Sequence, residues 1–189
     1  LYPFVQAYAF IIGLAVGSFL NVIIYRIPNN KSIVKPRSKC TGCESQISWY
    51  DNIPVLSYVL LLGKCRNCKV SISVRYPLIE FICGLMTIML LGIYGISYEF
   101  FVIVLFCYML IAITFIDIDH FIIPNEFIIF GLIVSFFAHA FNFLPISIVQ
   151  GFYGIIAFGG TLFVMGALGT WAFKKEALGF GDIKLGLVL

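Results

Sequence analysis

Long apolar stretches separated by short polar breaks dominate the sequence. The first stretch covers residues 4–25 and ends at Arg26-Ile27-Pro28. Later stretches cover about 77–94, 98–116, 125–141 and 148–173, and a sixth begins near Gly179. A helix of about 20 apolar residues has the length needed to cross a bilayer. The pattern predicts an all-α polytopic membrane protein with about six transmembrane helices and one long polar loop between the first two.

The composition supports membrane residence. Of the 189 residues, 61% are hydrophobic and 11% are charged, and the mean hydropathy is +1.05. A soluble domain of this length needs a far more charged surface, so we expect the outer surface to contact membrane lipid. The first 25 residues carry no basic segment and no small-residue cleavage site, which predicts a retained helix rather than a secretory signal.

The charges are distributed unevenly, and this asymmetry predicts the orientation. Residues 26–75 hold nine of the twelve basic residues and two acidic ones, a net charge of +7, whereas the rest of the chain carries −4. A basic loop between apolar spans is typically retained in the cytoplasm. The basic residues alternate with Cys, Pro and Gly instead of lining a helix face, so we expect no nucleic-acid partner.

Four cysteines in this loop have the spacing of a metal site. Cys40-Thr41-Gly42-Cys43 and Cys65-Arg66-Asn67-Cys68 are two C-x2-C motifs with 21 residues between them. Disulfides do not persist in the cytoplasm, whereas paired C-x2-C motifs supply the four thiolates that tetrahedral Zn²⁺ prefers. We therefore expect a structural zinc site, with iron or redox chemistry as the alternatives.

Three aspartates are predicted to lie near the cytoplasmic membrane face. Asp117 and Asp119 follow the third span, and Asp182 lies at the start of the sixth. Glycines at 179 and 181 come just before Asp182 and let the backbone bend there. Carboxylates at a membrane face suggest function, and two close together favour one protonated and one ionised form. Such a pair can activate water against a peptide carbonyl. Spacing alone does not choose between Asp117 and Asp119 as the partner of Asp182.

The segment from Asp117 to Pro124 and the segment Gly179-Phe180-Gly181-Asp182 belong to a set of motifs that occur in order along nearly the whole chain. Together these motifs resemble the type IV prepilin peptidases, a family of membrane aspartic proteases. Gly179-Phe180-Gly181-Asp182 is similar to the family's GxGD motif. The family's other catalytic Asp lies seven residues before a Pro, and the Asp117 to Pro124 segment matches this arrangement. The remaining matches are the segments 17–22, 26–28, 49–57 and 75–80.

The resemblance implies a function and assigns roles to residues. Asp117 and Asp182 are expected to be catalytic, with Gly179, Gly181, Glu176, Lys184 and Asp119 binding substrate or tuning the site. The expected activity removes the short basic leader of type IV prepilins or pseudopilins in the bacterial inner membrane. The family also methylates the new amino terminus with S-adenosylmethionine, although the sequence shows no glycine-rich methyltransferase motif.

The expected organisation has three parts: a first transmembrane helix at 1–25, a basic zinc loop at 26–75, and a membrane aspartic peptidase core at 76–189. Family members continue through further helices, so we expect the chain to extend beyond Leu189. A proton-coupled transporter is the main alternative, because it too places carboxylates among helices. A zinc scaffold without chemistry would leave the GxGD motif unexplained.

Overall fold

The computed structural model describes residues 3–145, 147–175 and 178–188, and these residues are mostly helical. The eight α-helices are α1 (Pro3–Arg26), α2 (Leu56–Leu60), α3 (Arg75–Tyr94), α4 (Tyr98–His120), α5 (Asn125–Ala140), α6 (Ile148–Gly154), α7 (Gly160–Phe173) and α8 (Phe180–Gly186). A wider π-helical turn, Ile155–Gly159, joins α6 to α7. The loop 27–74 has no extended strand, only two isolated β-bridges.

Among the described residues, four helical segments are long and apolar enough to cross a membrane: Pro3–Arg26, Arg75–Tyr94, Tyr98–His120 and Val149–Phe173. Most of their apolar side chains are exposed, as with Trp171, which is 82% exposed, and lipid would cover such a surface. The prediction of an all-helical membrane protein is confirmed, whereas the prediction of six spans is not. Helix α5 has 16 residues and α8 has seven, which is short of the roughly 20 needed.

The chain forms two compact units, Leu1–Ala112 and Ile113–Leu189. In the first, α1 and α3 approach closely because glycines replace side chains at their interface. A Cβ atom on Gly13 would lie 2.6 Å from Thr87 Oγ1, and one on Gly17 would lie 2.6 Å from Glu80 Cα. This small-xxx-small spacing is typical of membrane helix pairs. The Thr87 hydroxyl also lies 2.6 Å from the Tyr108 hydroxyl, linking α3 to α4.

In the second unit, glycines let α8 pack against the segment formed by the π-helical turn and α7. A Cβ atom on Gly186 would lie 2.5 Å from Leu162, and one on Gly159 would lie 2.5 Å from Leu187. Added side chains would therefore force the two segments apart. The close approach holds the short helix α8, which carries Asp182, in one position.

Candidate metal centre and candidate active site

The structure brings the four loop cysteines together. Their Sγ atoms all lie within 4.8 Å of one another, and those of Cys40 and Cys68 are 3.7 Å apart. Zn–S bonds of 2.3 Å in a tetrahedron place neighbouring sulfurs about 3.8 Å apart. Four sulfurs in this arrangement can hold a metal ion.

Each C-x2-C motif folds in the same way, although the two share few other residues. The N–H of Cys40 donates to the Ser45 carbonyl at 2.9 Å, and that of Cys65 donates to the Val70 carbonyl at 2.9 Å. The fourth residue after each of these cysteines has a positive φ, 54° at Glu44 and 60° at Lys69. The two turns are therefore equivalent, and each presents its cysteine pair toward the other.

Hydrogen bonds lower the pKa of two of these thiols. Contacts with the side chain and backbone of Ser45 lower the pKa of Cys43 to about 6. Backbone hydrogen bonds at Cys68 and Asn67 lower the pKa of Cys65. The Val70 backbone also lowers the pKa of Cys68, but burial and the neighbouring thiols outweigh it and raise that pKa to about 11. A bound divalent cation would draw all four groups into the thiolate form.

An ion pair fastens the second cysteine turn to the segment 49–55. Arg66 lies between Cys65 and Cys68, and its Nη2 and Nε atoms donate to the Asp51 carboxylate at 2.6 and 2.9 Å. Such two-point contacts fix geometry as well as charge. The hydrogen bonds and positive charge of Arg66 lower the pKa of Asp51.

The same segment is tied to membrane helix α3 through a strained turn. Val55 adopts φ 59° and ψ −48°, which is rare for a β-branched residue. Its N–H donates to Glu80 Oε2 at 2.7 Å, and the buried Ser57 hydroxyl donates to the Tyr50 carbonyl at 2.8 Å. A continuous chain of contacts thus runs from the cysteine cluster to α3.

Glu80 is a residue whose importance the sequence did not reveal. A carboxylate at the start of a membrane span is most simply an anchor in the headgroup region, but here the residue is only 7% exposed. Its carboxylate accepts the Val55 N–H instead. The signal in the sequence is its position, six residues into an apolar span. A carboxylate inside a membrane span is by default a candidate for function.

The aspartates predicted to be catalytic lie at helix ends in the second unit. Helix α4 extends further than predicted and ends at His120, so that Asp117 and Asp119 lie in its last turn, both exposed. The Phe121 N–H donates to the Asp117 carbonyl at 2.8 Å, and a positive φ of 55° at Phe121 ends the helix. Asp182, also exposed, lies in the first turn of α8.

The beginning of α8 packs against the segment that follows Asp117. A Cβ atom on Gly181 would lie 3.1 Å from Ile123 Cβ, so an added side chain would force a shift of a few tenths of an ångström. Lys184 Nζ donates to Asn125 Oδ1 at 3.0 Å and lies 4.7 Å from the centre of the Phe180 ring. Segments separated by about 60 residues are therefore adjacent.

The other predicted site residues are distributed around this contact. A Cβ atom added to Gly179 would lie 3.1 Å from Asp182 Oδ2. The Asp182 carboxylate therefore lies close to the beginning of α8, its own helix. Glu176 falls outside the described residues. The roles of these residues, and those of the aspartates, stay predictions.

Two family models match consecutive parts of the chain. The bacterial peptidase A24 N-terminal domain matches residues 11–94, and the type IV leader peptidase family matches residues 104–189. A prepilin leader peptidase/N-methyltransferase of Stutzerimonas stutzeri is 33% identical over 94% of this chain and 69% of its own length. This chain belongs to the type IV leader peptidase family.

Other members show the same relationship. The prepilin leader peptidase/N-methyltransferase of Myxococcus xanthus is 38% identical over 95% of this chain and 53% of its own length. A type 4 prepilin-like proteins leader peptide-processing enzyme of Escherichia coli is 33% identical over 92% of this chain and 71% of its own. The chain thus spans about half to seven-tenths of these relatives. No solved structure matches it.

Proposed function

We propose that this leader peptidase family member is an aspartic endopeptidase that removes the basic leader of type IV prepilins or pseudopilins. The observation that carries the proposal is the packing of Gly181 and Lys184 against Ile123 and Asn125. It supports a site built from Asp117 and Asp182, because each aspartate lies a few residues from this contact. Asp119, two residues from Asp117, is about 200° away around α4 and takes a lesser role.

The chemistry follows from two carboxyl groups that share one proton. The ionised carboxylate takes a proton from water, and the resulting hydroxide attacks the scissile carbonyl carbon. The neutral carboxyl group donates its proton to the carbonyl oxygen, so that no unstabilised negative charge develops on that oxygen. Breakdown of the tetrahedral species returns a proton to the leaving amine, and no bond forms between protein and substrate.

The charge asymmetry supports a cytoplasmic site in the inner membrane. With the basic loop 26–75 in the cytoplasm, α3 runs outward and α4 runs back, so that α4 ends at the cytoplasmic face with Asp117 in its last turn. The proposal also requires the 16-residue helix α5 to cross outward, although it is shorter than a typical span. The span Val149–Phe173 then returns the chain to the cytoplasmic face before Asp182. A transporter would instead favour carboxylates at the middle of the bilayer.

The cysteine cluster is proposed to hold structural zinc. Four sulfur ligands close a zinc coordination sphere and leave no position for water, which is typical of structural sites. A loop of about 50 residues buries little core of its own, so metal binding would supply part of its folding free energy. The Asp51–Arg66 ion pair would then hold the segment 49–55, at the membrane surface, in place against the metal-bound loop.

Methylation of the new amino terminus is the second proposed activity. It is supported by the N-methyltransferase part of the relatives' names. S-adenosylmethionine would supply a methyl group carried on a positively charged sulfur.

Separate Asp117→Asn and Asp182→Asn variants test the peptidase proposal. Loss of a general acid or base typically costs about 10²–10⁴-fold in rate, so each should abolish most cleavage of a prepilin in detergent micelles, followed by the gel shift of the shortened product. Asp119→Asn should cause a smaller loss. Glu126→Gln, which alters an exposed carboxylate in the first turn of α5, is the matched control. Wild-type cleavage by either catalytic variant would refute the assignment.

A further inference from the structure

The short helix α2 and the turn after it present apolar side chains on the outside of the basic loop. Four of these side chains are exposed: Leu56 by 50%, Val59 by 59%, Leu60 by 71% and Leu62 by 83%. They belong to residues 52–63, the longest run without a charged side chain in the loop 26–75. Contiguous exposed apolar side chains of this kind mark a surface that contacts a membrane or another molecule.

The exposed side chains lie opposite the face of α2 that packs inward. Ser57 is buried, and Ser57, Tyr58 and Leu61 line an internal cavity that Glu80 also borders. The three exposed positions within α2 have the i, i+3, i+4 spacing of a single helix face. Helix α2 therefore has an inner face packed on the first unit and an outer face that is wholly apolar.

The turn that ends α2 carries a leucine where glycine is usual. The Gly63 N–H donates to the Tyr58 carbonyl at 2.9 Å, and the Leu62 N–H donates to the Val59 carbonyl at 3.0 Å, which is the pattern of a Schellman turn. Leu62 occupies the left-handed position of this turn, with φ 52°. An exposed leucine in this conformation gains nothing from water, but its side chain is stabilised by contact with an apolar phase.

Hydrogen bonding holds the start of α2 beside the membrane helices, below their ends. The Val55 N–H donates to Glu80 Oε2 at 2.7 Å, and a Cβ atom on Gly17 of α1 would lie 2.6 Å from Glu80 Cα. Glu80 is about 7–8 Å along the axis from the start of α3, and Gly17 is about 13–14 Å from the end of α1. Interfacial helices bury their apolar face about 5–10 Å into the boundary between headgroups and acyl chains. The start of α2 is therefore held at the depth of an interfacial helix.

The residues around this segment are those typical of a membrane interface. Trp49 and Tyr50 precede it and Lys64 follows it, and all three are exposed. Trp and Tyr are enriched at the level of the headgroups, and a lysine at that level can extend its charge into water. Helix α3, to which the segment is tied, exposes Leu78 and Phe81. The apolar surface of α2 thus continues the surface that α3 presents to lipid.

We infer that the segment 56–62 is an interfacial membrane anchor, whose exposed apolar side chains insert among the phospholipid acyl chains of the leaflet in which α3 begins. The inference does not depend on the proposed peptidase activity, because it uses neither the aspartates nor the cysteine cluster. The loop 26–75 would then contact the membrane in its middle as well as at its two ends.

Tryptophan fluorescence in lipid nanodiscs locates the segment. In the full chain, Trp49→Phe and Trp171→Phe remove the two native tryptophans, and Leu60→Trp or Leu62→Trp then introduces a single one. Phosphatidylcholine with bromine atoms high in its acyl chains quenches a tryptophan in the membrane, whereas iodide quenches one in water. At both positions we expect strong quenching by the brominated lipid, weak quenching by iodide, and emission at a shorter wavelength than in water.

Two variants in the same background provide the reference values. Phe81→Trp, on the exposed side of α3, gives the quenching of a side chain in lipid. Gln46→Trp, at an exposed position of the loop beside the first cysteine turn, gives that of a side chain in water. Leu60→Trp and Leu62→Trp should resemble Phe81→Trp, with the unfolding temperature of the background showing that the fold is kept.

A charge on the inserted face gives a second test. In the Leu62→Trp background, Leu60→Glu places a carboxylate among the acyl chains, where it is costly. The segment should move outward, so that quenching by the brominated lipid falls and quenching by iodide rises. Gln46→Glu adds the same charge outside the segment and should change neither.

Three outcomes overturn the inference. Quenching by iodide but not by the brominated lipid would place the segment in water. Quenching by neither would show that protein covers it, either another segment of this chain or a second copy. Unchanged quenching in Leu60→Glu would show that the Leu60 side chain is not inserted.

Discussion

The Gly181→Ala variant tests whether close packing positions the proposed catalytic aspartate. The added Cβ atom would lie 3.1 Å from Ile123 Cβ and 3.2 Å from Ile123 Cγ1. Carbon atoms without a bond between them prefer about 3.5–4.0 Å. The start of α8 must therefore move away from Ile123 by about 0.4–0.9 Å, and Asp182, the next residue, must move with it.

The expected effect of Gly181→Ala on the rate of cleavage is larger than its expected effect on stability. Overpacking costs about 1–3 kcal/mol, but alanine recovers up to about 1 kcal/mol of helix propensity relative to glycine. With the full gain in helix propensity, the net loss of unfolding free energy is about 0–2 kcal/mol, which shifts the unfolding temperature by a few degrees. A displacement of 1 Å in a catalytic group can cost about 100-fold in rate, so we expect cleavage to fall by about 10–100-fold.

The assay measures kcat and KM for leader cleavage, together with the unfolding temperature in detergent. We expect kcat to fall while the unfolding temperature shifts by no more than a few degrees. Gly160→Ala is the matched control, because its Cβ atom would meet nothing within 4 Å. Adding Ile123→Ala to Gly181→Ala removes two of the three nearest atoms and should restore part of the rate. Wild-type kcat in Gly181→Ala would refute this explanation of how Asp182 is positioned.

Three further predictions concern the first unit. Cys40→Ser should lower the zinc content, measured by elemental mass spectrometry, whereas Cys83→Ser in α3 should leave it unchanged; equal zinc in both would exclude the cysteine cluster. Asp51→Asn should speed proteolysis of the segment 49–55, because the ion pair to the cysteine turn is lost. Since the pKa of Asp51 is lowered in the folded protein, the pair stabilises the wild type above the unperturbed value of about 3.9. That contribution should disappear as the pH falls through the lowered pKa, and the variant should lack this dependence. Gly13→Val places atoms within 2.6–2.7 Å of α3, including its backbone, and should lower the unfolding temperature, whereas Gly92→Val, which meets nothing nearby, should do so much less.

Much of the helical architecture could be predicted from the sequence because membrane spans are recognised by local composition. The first span, predicted at 4–25, is a helix from Pro3 to Arg26, and the predicted fourth span is the helix Asn125–Ala140. The third helix extends to His120 instead of ending near residue 116. Local hydropathy does not report this extension, since the last turn of α4 is polar and is held by backbone hydrogen bonds.

In the candidate sites, too, some features follow from the local sequence and others depend on contacts between distant segments. The sequence by itself determined the cysteine motifs, the charge asymmetry and the aspartates, because residue type and spacing carry that chemistry. Only the tertiary structure decided that the GxGD segment packs against residues 123–125, because that contact depends on one missing Cβ atom at Gly181. Only the tertiary structure, too, turned Glu80 from a surface anchor into a buried acceptor next to a cavity. Burial of a polar group depends on which distant segments cover it, and no local pattern in the sequence records that.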